Sequence, residues 1–578
     1  MATSPPSVDS TETGASGDSP KRSASVLVAA GILLSRLSGV IRTSVFAAFL
    51  GVGGANDAFI TATRIPNVLQ MLLGEGTLSA SFIPVYSTEI ERDEEEAGRI
   101  AGAIASLLAL VAAVIVILST IFAEQIAWVV LLGDSNDARF DLTVTLLRII
   151  FPSAGLLVLS GWCLGILNSH RQFFLSYVAP VLWNIAQIAA VVGGVVFFSI
   201  GDTSALGDTT AAINRQLEDN QTNIDVLGEV ARVASWGFLV GSALQFGVQV
   251  PFVAKVAKGV RFKLDLTRDG VKQVLKRFGD TVFGRGVIQI SAFADTILAN
   301  AITVGAVTAV GTSQILYILP ISVFAVSVAA AELPELSRLK DPEEIRTRGE
   351  GGFAQIAFFV SFTAVAYILL GDKIVATLFE RGNFTSDDTL LIWFTLGAYA
   401  LGLVPSAISR LTQNTLWSQG DTRSPARVAV VRVTIAIAIA AVAMQLFDRI
   451  GVDDVRSAVP TLFDGGTQNS SIRFGAMGIT LGSAIAAWVE GVLLWRAADR
   501  AVPGVSPLRP IKALIPAITA AAVVALIMRV VTDDMWPPLA MILSVGLSGV
   551  TYLVICRITK VKALNVLLLG PLKRFRIR

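Results

Sequence analysis

The chain has 578 residues, 53% of them hydrophobic and 16% charged, with a formal net charge of +2. A soluble domain carries roughly a quarter of its residues as charged ones, and a single soluble core cannot hide this much apolar surface. The composition excludes a large soluble fold, and the near-neutral charge leaves no global basic field that would favour nucleic acid.

Residues 1–22 are rich in Ser, Thr, Pro, Gly and Asp and end in Lys21 and Arg22. They carry too little apolar surface to fold and lack the pattern of a signal peptide, so they read as a disordered cytoplasmic tail. Apolar runs of span length then recur. They predict spans at 25–48, 57–86, 99–132, 143–168, 173–200 and 229–254, then at 281–303, 306–333, 352–370, 388–418, 425–446 and 475–496, and finally at 511–531 and 538–558. The fold class is an all-α polytopic membrane protein with about fourteen transmembrane helices. Runs longer than about twenty residues predict tilted or extended helices. The polar stretches 201–228 and 447–474 read as loops.

Basic residues set the expected orientation. The stretch Lys255 to Arg277 is rich in Lys and Arg, as are the connections holding Arg338 and Lys340, Arg423 and Arg427, and Arg496 to Lys512. Connections of the other parity are poor in them. The positive-inside rule then places both termini and the basic loops in the cytoplasm. The acidic run Glu89 to Glu96 falls on the same side and reads as a solvated turn. Segment 259–280 alternates basic and apolar residues, which predicts an amphipathic helix on the inner leaflet joining two halves.

A weak internal repeat supports those halves. Leu167-Asn168-Ser169-His170-Arg171 follows the fourth span and Leu416-Trp417-Ser418-Gln419-Gly420-Asp421 the tenth, each ahead of a proline, Pro180 or Pro425. Tight turns six spans apart, with the same orientation, suggest parallel six-helix repeats. The expected organisation is an N-lobe at 23–258, a linker at 259–280, a C-lobe at 281–500, two further helices within 501–558 and a basic cytoplasmic tail at 559–578.

Enzymatic chemistry finds little support. Cys163 and Cys556 lie far apart in apolar surroundings, and His170 is the sole histidine. A zinc site or Cys–His nucleophile is therefore not expected, and no GxxxxGK[ST] loop is present for an ATPase. The expectation is a non-enzymatic chain without metal or cofactor.

Charges inside the spans are the informative residues, because each needs a partner or a wet cavity. Arg36 and Arg42 share the first span. Six residues apart, they are separated by about 9 Å along the helix and roughly 120° around it. The second span holds Asp57, Arg64 and Glu75, the last between Gly74 and Gly76. Arg285 and Asp295 lie in the seventh span, Glu332 at the end of the eighth, Arg410 in the tenth, Arg432 in the eleventh and Glu490 in the twelfth. Ion pairs such as Arg36–Asp57 or Arg42–Glu75 are one reading, and Arg432 and Glu490 near an interface another. Taken together, arginines on several helices suggest a cationic cavity. The planar guanidinium donors suit a phosphate, so an anionic substrate crossing the membrane follows. Gly74-Glu75-Gly76 suggests a broken helix at a hinge or site, with close small-residue packing as the competing explanation.

Several segments resemble the MurJ (MviN) family of lipid II flippases. These are Ser35-Arg36-Leu37-Ser38-Gly39-Val40-Ile41-Arg42, Asp57-Ala58-Phe59, Ile65-Pro66-Asn67 and Gly74 to Pro84, then Ile166-Leu167-Asn168 with Ala179 to Ile185, Leu378 to Thr385, and Asp421-Thr422-Arg423-Ser424-Pro425. The resemblance implies the multidrug/oligosaccharidyl-lipid/polysaccharide exporter fold, with two six-helix lobes about a central cavity. It also implies two C-terminal helices shaping a groove for a lipid tail. The implied activity is movement of undecaprenyl-pyrophosphate-linked peptidoglycan precursor from the inner to the outer leaflet of the bacterial cytoplasmic membrane, without covalent chemistry. The implied partners are lipid II, membrane lipids and cell-wall synthesis or division proteins.

Arg36, Arg42, Asp57 and Glu75 fall on positions this family treats as functional, and Arg410 where it often has a basic residue. Two of its usual arginines are replaced by Gln70 and Ile315, with Arg285 the expected substitute for the one missing at Ile315. Asp295 resembles an acid that binds sodium in some members. Its polar partners in the eleventh span are missing, so a salt bridge is expected instead. The expected substrate-binding set is Arg36, Arg42, Arg285 and Arg410, and the gating or ion-pair set is Asp57, Glu75 and Asp295. The alternatives are an exporter of another lipid-linked glycan or of a drug, and a non-transporting membrane scaffold.

Overall fold

Helices follow the apolar runs closely. The computed structural model describes residues 19–200, 220–339, 341–458, 472–561 and 563–564. Expectations for residues 1–18, for most of the two long polar loops and for 565–578 lie outside the described residues, as do the side chains of Glu75 and Arg285. The N-terminal half contains α1 (Ser19–Leu50), α2 (Gly54–Leu73), α3 (Glu75–Arg92), α4 (Glu94–Ile121), α5 (Ala123–Val130), α6 (Phe140–Ser169), α7 (Phe173–Ile200) and α8 (Asn220–Val256). The second half contains α9 (Asp269–Asn300), α10 (Ala306–Pro320), a π-helical segment (Ile321–Val326), α11 (Ser327–Leu336), α12 (Pro342–Phe379), α13 (Ser386–Leu401), α14 (Leu403–Ser418), α15 (Arg423–Phe447), α16 (Val452–Ala458) and α17 (Gly475–Ala501). Two more helices follow, α18 (Leu508–Val531) and α19 (Pro537–Ile558).

Among the described residues, eleven helices are long and apolar enough to cross a membrane, or twelve with the bent pair α13–α14 taken as one span. Helices α1 and α9, each 32 residues long, lie outside that set, and adding them gives a number consistent with the expected fourteen. The predicted tail is shorter than read, because α1 already begins at Ser19, where Pro20 suits a first helical turn. The polar stretches are shorter too. Helix α8 starts at Asn220, and α16 folds within 447–474 beside a bridge between Gly451 and Arg473.

The predicted break at Gly74 is present, and a second break that the sequence does not predict lies at Gly402, inside the predicted span 388–418. Gly74 separates α2 from α3, and a Cβ there would lie 2.6 Å from the carbonyl oxygen of Gln70. Gly402 separates α13 from α14 at a bend of 42°. Its Cβ would lie 2.7 Å from Ala484 Cα, so only glycine admits this approach to α17. The repeated turns are alike in geometry as well as in place. Arg171 and Gly420 both have positive φ, and each is followed by an amide reaching back five residues, Gln172 to Leu167 and Asp421 to Leu416. That is the Schellman ending, in which a left-handed residue returns the chain and satisfies a terminal carbonyl.

The linker differs from expectation. Residues 257–268 are not helical, and α9 runs unbroken from Asp269. The segment is an extended strap laid over the small-residue face of α4. A Cβ on Gly98 or Gly102 would collide with the carbonyl oxygen of Lys258 or Arg261. Lys258 pairs with Glu94 at 3.1 Å and Arg268 with Glu96, so the acidic run is a docking rail and not merely a solvated turn. Hydrogen bonds from the Thr267 hydroxyl and amide hold the Asp265 carboxyl below its usual range, where the strap turns into α9. An alternating pattern has period two, which is the period of an extended chain; the helix expected over 259–280 is present from Asp269 on and replaced by the extended strap before it.

Helix α9 also crosses the expected lobe boundary. Its first turns place Val271 and Val274 in the N-lobe core with Leu78, Phe82 and Ile100, while its far end packs in the C-lobe. The last two helices join the C-lobe through α12. Tyr552 donates to the Phe358 carbonyl at 2.7 Å, and buried Arg529 pairs with Asp372 at 3.0 Å while stacking on Trp393. A leucine at position 98 or 102 should lift the strap from α4. We expect either substitution to destabilise the fold by about 1–3 kcal/mol, read as a lower melting temperature in detergent. Gly279→Ala, which meets nothing within 4 Å, should leave it unchanged.

Candidate functional site

The lobes enclose two adjoining cavities of ≈ 220 Å³ and ≈ 270 Å³. Arg42, Trp183, Gln314 and Ile315 line both, which makes them one chamber walled by α1, α2 and α7 on one side and α10 on the other. Arg36 lines the larger cavity and Arg64 the smaller.

Depth follows from chain direction. Helix α1 ends at Leu50 and α2 starts at Gly54, both at the end away from the basic loops. Arg42 and Arg64 lie eight and ten residues in from those termini, so at similar depth, about 12–15 Å from that end. Arg36 lies about 9 Å nearer the basic end. Arg42 stacks over the Trp183 ring at 4.8 Å, which contributes about 0.5–2 kcal/mol. Arg64 donates from Nε to Thr296 Oγ1 at 3.0 Å and from Nη2 to Gln314 Oε1 at 3.2 Å. Among the described residues, none of Arg36, Arg42 and Arg64 has a carboxylate within 4 Å. Three guanidinium groups among the described residues therefore face one chamber without a directly paired carboxylate.

Asp57 closes the end away from the basic loops. Its side chain is fully buried and accepts the Gly305 amide at 2.7 Å, the Thr308 amide at 2.8 Å and the Thr308 hydroxyl at 2.7 Å. These groups belong to the first turn of α10 and the glycine before it, whose orphan donors and dipole favour an anion. An N-lobe carboxylate thus caps a C-lobe helix. Arg139 completes the cluster, 3.4 Å from Asp57 and bonded to Asp137, Asn300 Oδ1 and the Asn300 carbonyl. Beside it, Asn383 donates its amide to the Ala48 carbonyl and its side chain to the Phe49 carbonyl.

The expected Arg36–Asp57 pair is not formed. Asp57 lies within a turn of the helix end, whereas Arg36 lies about 21 Å along α1 from that end. Its true partner, Arg139, sits just before α6 in a connection read as poor in basic residues. Only the side-chain role of an arginine in an otherwise acidic turn signals it. The Arg42–Glu75 pair and the placement of Arg285 fall on side chains outside the described residues.

Asp295 and Arg410 do not join the chamber. Asp295 is buried with Oδ1 unpaired, and no cation lies within 4 Å of it among the described residues. The expected salt bridge fails because the two cations acting on it are engaged elsewhere, Arg64 with Thr296 and Gln314, and Arg432 with Glu490 at 2.8 Å. One carboxylate under two guanidinium fields does not suit a sodium ion. Arg410 lies near Arg432 and Glu490 and lines neither cavity. Helix α14, which carries it, packs within the C-lobe against α12 and α17. The buried Glu490 is held by the half-buried Arg432 and by Gln413.

Removing the Asp57 carboxylate should unseal this end. Asp57→Ala strands Arg139 and the α10 amides, a loss of about 3–5 kcal/mol for a broken buried pair. Amide exchange at Gly305 and Thr308 should quicken strongly. Asp57→Asn, which keeps an acceptor, should show a smaller increase.

Comparison with known proteins places these features. Residues 46–453 match the family model described as lipid II flippase MurJ. A probable lipid II flippase MurJ from Rhizobium tropici is 27% identical, over 81% of this chain and 79% of its own length. The lipid II flippase MurJ of Burkholderia cenocepacia is also 27% identical, over 69% of this chain and 73% of its own. Among solved structures, a lipid II flippase MurJ in an inward closed conformation superposes with a TM-score of 0.69 at 23% identity, over 92% of this chain and 98% of that one. An inward-facing multidrug resistance MATE transporter of the MOP superfamily gives 0.59 at 15% identity, over 84% of this chain and all of that one. At these identities the solved structures establish the fold alone.

Proposed function

The chain belongs to the MurJ family of lipid II flippases, and from that premise we propose that it carries undecaprenyl-pyrophosphate-linked peptidoglycan precursor from the inner to the outer leaflet by alternating access. The observation that carries this reading is the chamber: three arginines with no carboxylate within 4 Å among the described residues, closed at one end by the Asp57 cluster. In this reading the basic loops and both termini lie on the cytoplasmic side, in keeping with the positive-inside rule, and the membrane is the bacterial cytoplasmic membrane.

In this reading the pyrophosphate enters from the cytoplasmic side, past Arg36, and settles on Arg42. A guanidinium binds two phosphate oxygens at once, in a site with little competing water. The chain does this by binding and reorientation alone. The polyprenyl tail stays in lipid, along the surface of α12, α18 and α19. Asp57 gates the far side. Its capping of α10 stabilises the state closed there and is absent when the lobes part, so it biases the equilibrium through contacts that differ between states. Glu75 follows the Gly74 hinge and is assigned to the same gating role. Arg285 supplies a further cation, and Arg410, exposed on α14 near Arg432 and Glu490, adds positive charge on the C-lobe side.

Complementation of a flippase-depleted bacterium, with lipid II measured on the outer leaflet, tests the assignment. The wild-type chain should restore both growth and the outer-leaflet signal, and growth without that signal would overturn it. Arg42→Ala and Arg36→Ala should each abolish rescue. Arg42→Lys should retain a fraction, since an ammonium keeps the charge and loses the planar fork. Arg285→Ala should reduce rescue. Full activity in Arg285→Ala beside a dead Arg36→Ala would remove Arg285 from the binding set.

A further inference from the structure

Arg64 stands apart from the other chamber arginines because it spans the lobes. It projects from α2 in the N-lobe, yet both its acceptors belong to the C-lobe, Thr296 on α9 and Gln314 on α10. It lies seven residues beyond Asp57, about 10 Å further from the sealed end along the same helix. Its position is therefore immediately inside the seal.

Its partners are also weak ones for its charge. Thr296 Oγ1 and Gln314 Oε1 are neutral oxygens, and Asp295, adjacent to Thr296 in sequence, leaves its Oδ1 unpaired without reaching the guanidinium. A charge-assisted bond to an anion is roughly twice as strong as a neutral one. The same guanidinium lines the cavity that holds Arg42, and Gln314 lines both cavities. An anion seated there competes for Arg64 directly.

We propose that Arg64 is an inter-lobe clasp that a pyrophosphate in the chamber releases. With the chamber empty, Arg64 holds α2 to α9 and α10. A pyrophosphate beside Arg42 draws the guanidinium from Thr296 and Gln314 to itself. The lobes then lose the tie next to the Asp57 cap, and the sealed end opens. Arg64 thus makes opening depend on loading, as a positioning residue that senses ligand. The inference rests on the reading of the chamber as a pyrophosphate site.

The test uses the full chain in nanodiscs with undecaprenyl pyrophosphate as the probe. Cys163→Ala and Cys556→Ala remove the native thiols, and spin labels at Asn136→Cys and Asp534→Cys report the separation of the lobes at the sealed end. At saturating ligand the label distance should lengthen in the otherwise wild-type protein and remain short in Arg64→Gln, which retains donors but no charge. Arg64→Lys should restore part of the response. Thr296→Val combined with Gln314→Leu leaves Arg64 free, so the long distance should appear without ligand. Affinity for undecaprenyl pyrophosphate should then tighten about thirtyfold, the fold-change for two competing neutral hydrogen bonds of about 1 kcal/mol each. A normal ligand response in Arg64→Gln, or weaker binding by the double variant, overturns the clasp. If Arg42→Ala binds the probe as tightly as wild type, the chamber reading itself falls. If Arg42→Ala loses binding while Arg64→Gln still responds, the clasp alone falls.

Discussion

The Asp57 carboxylate is the point on which the two lobes meet. Buried inside a membrane domain, it is tolerated only because amide and hydroxyl donors of the α10 terminus and the Arg139 guanidinium converge on it. The same contact satisfies donors that a helix start would otherwise leave orphaned. One N-lobe residue and one C-lobe helix therefore each solve the other's polar problem, and neither solution survives separation of the lobes. That makes the sealed end a discrete state with a defined cost of opening.

The other intramembrane charges divide into two kinds. Arg432 with Glu490 and Arg529 with Asp372 are paired within one lobe or between its helices. Their attraction is offset by desolvation, and their effect is to hold α15 to α17 and α18 to α12 in one geometry. Arg42 and Arg64 are the second kind, with an aromatic face or neutral oxygens as their direct partners among the described residues. Cations held this way are costly to bury, and in the proposed reading an anion in the chamber offsets that cost.

Glycine contacts let these parts lie close enough to act together. Gly98 and Gly102 admit the extended strap onto α4, and Gly402 admits α17 against the bend between α13 and α14. The strap leads directly into α9, a helix that packs on the N-lobe at one end and on the C-lobe at the other. Movement of the lobes must therefore pass through α9, the helix that also carries Thr296, an acceptor of Arg64.

Much of this was legible in the chain alone. Long apolar runs determined the helices, because lipid requires every backbone polar group to be satisfied within its own segment. The turns at Arg171 and Gly420 and the break at Gly74 were marked by local chemistry, whereas the break at Gly402 was not, and the resemblance picked out Arg36, Arg42 and Asp57. What the tertiary structure alone decided was pairing. Asp57 meets Arg139, 82 residues away, and Arg64 reaches Gln314, 250 residues away. Such partners are chosen by helix depth and by which faces oppose across the lobes. The strap was misread for a related reason: alternation of basic and apolar residues is shared by a surface helix and an extended segment, and only the glycine face of α4 beneath it selected the extended form.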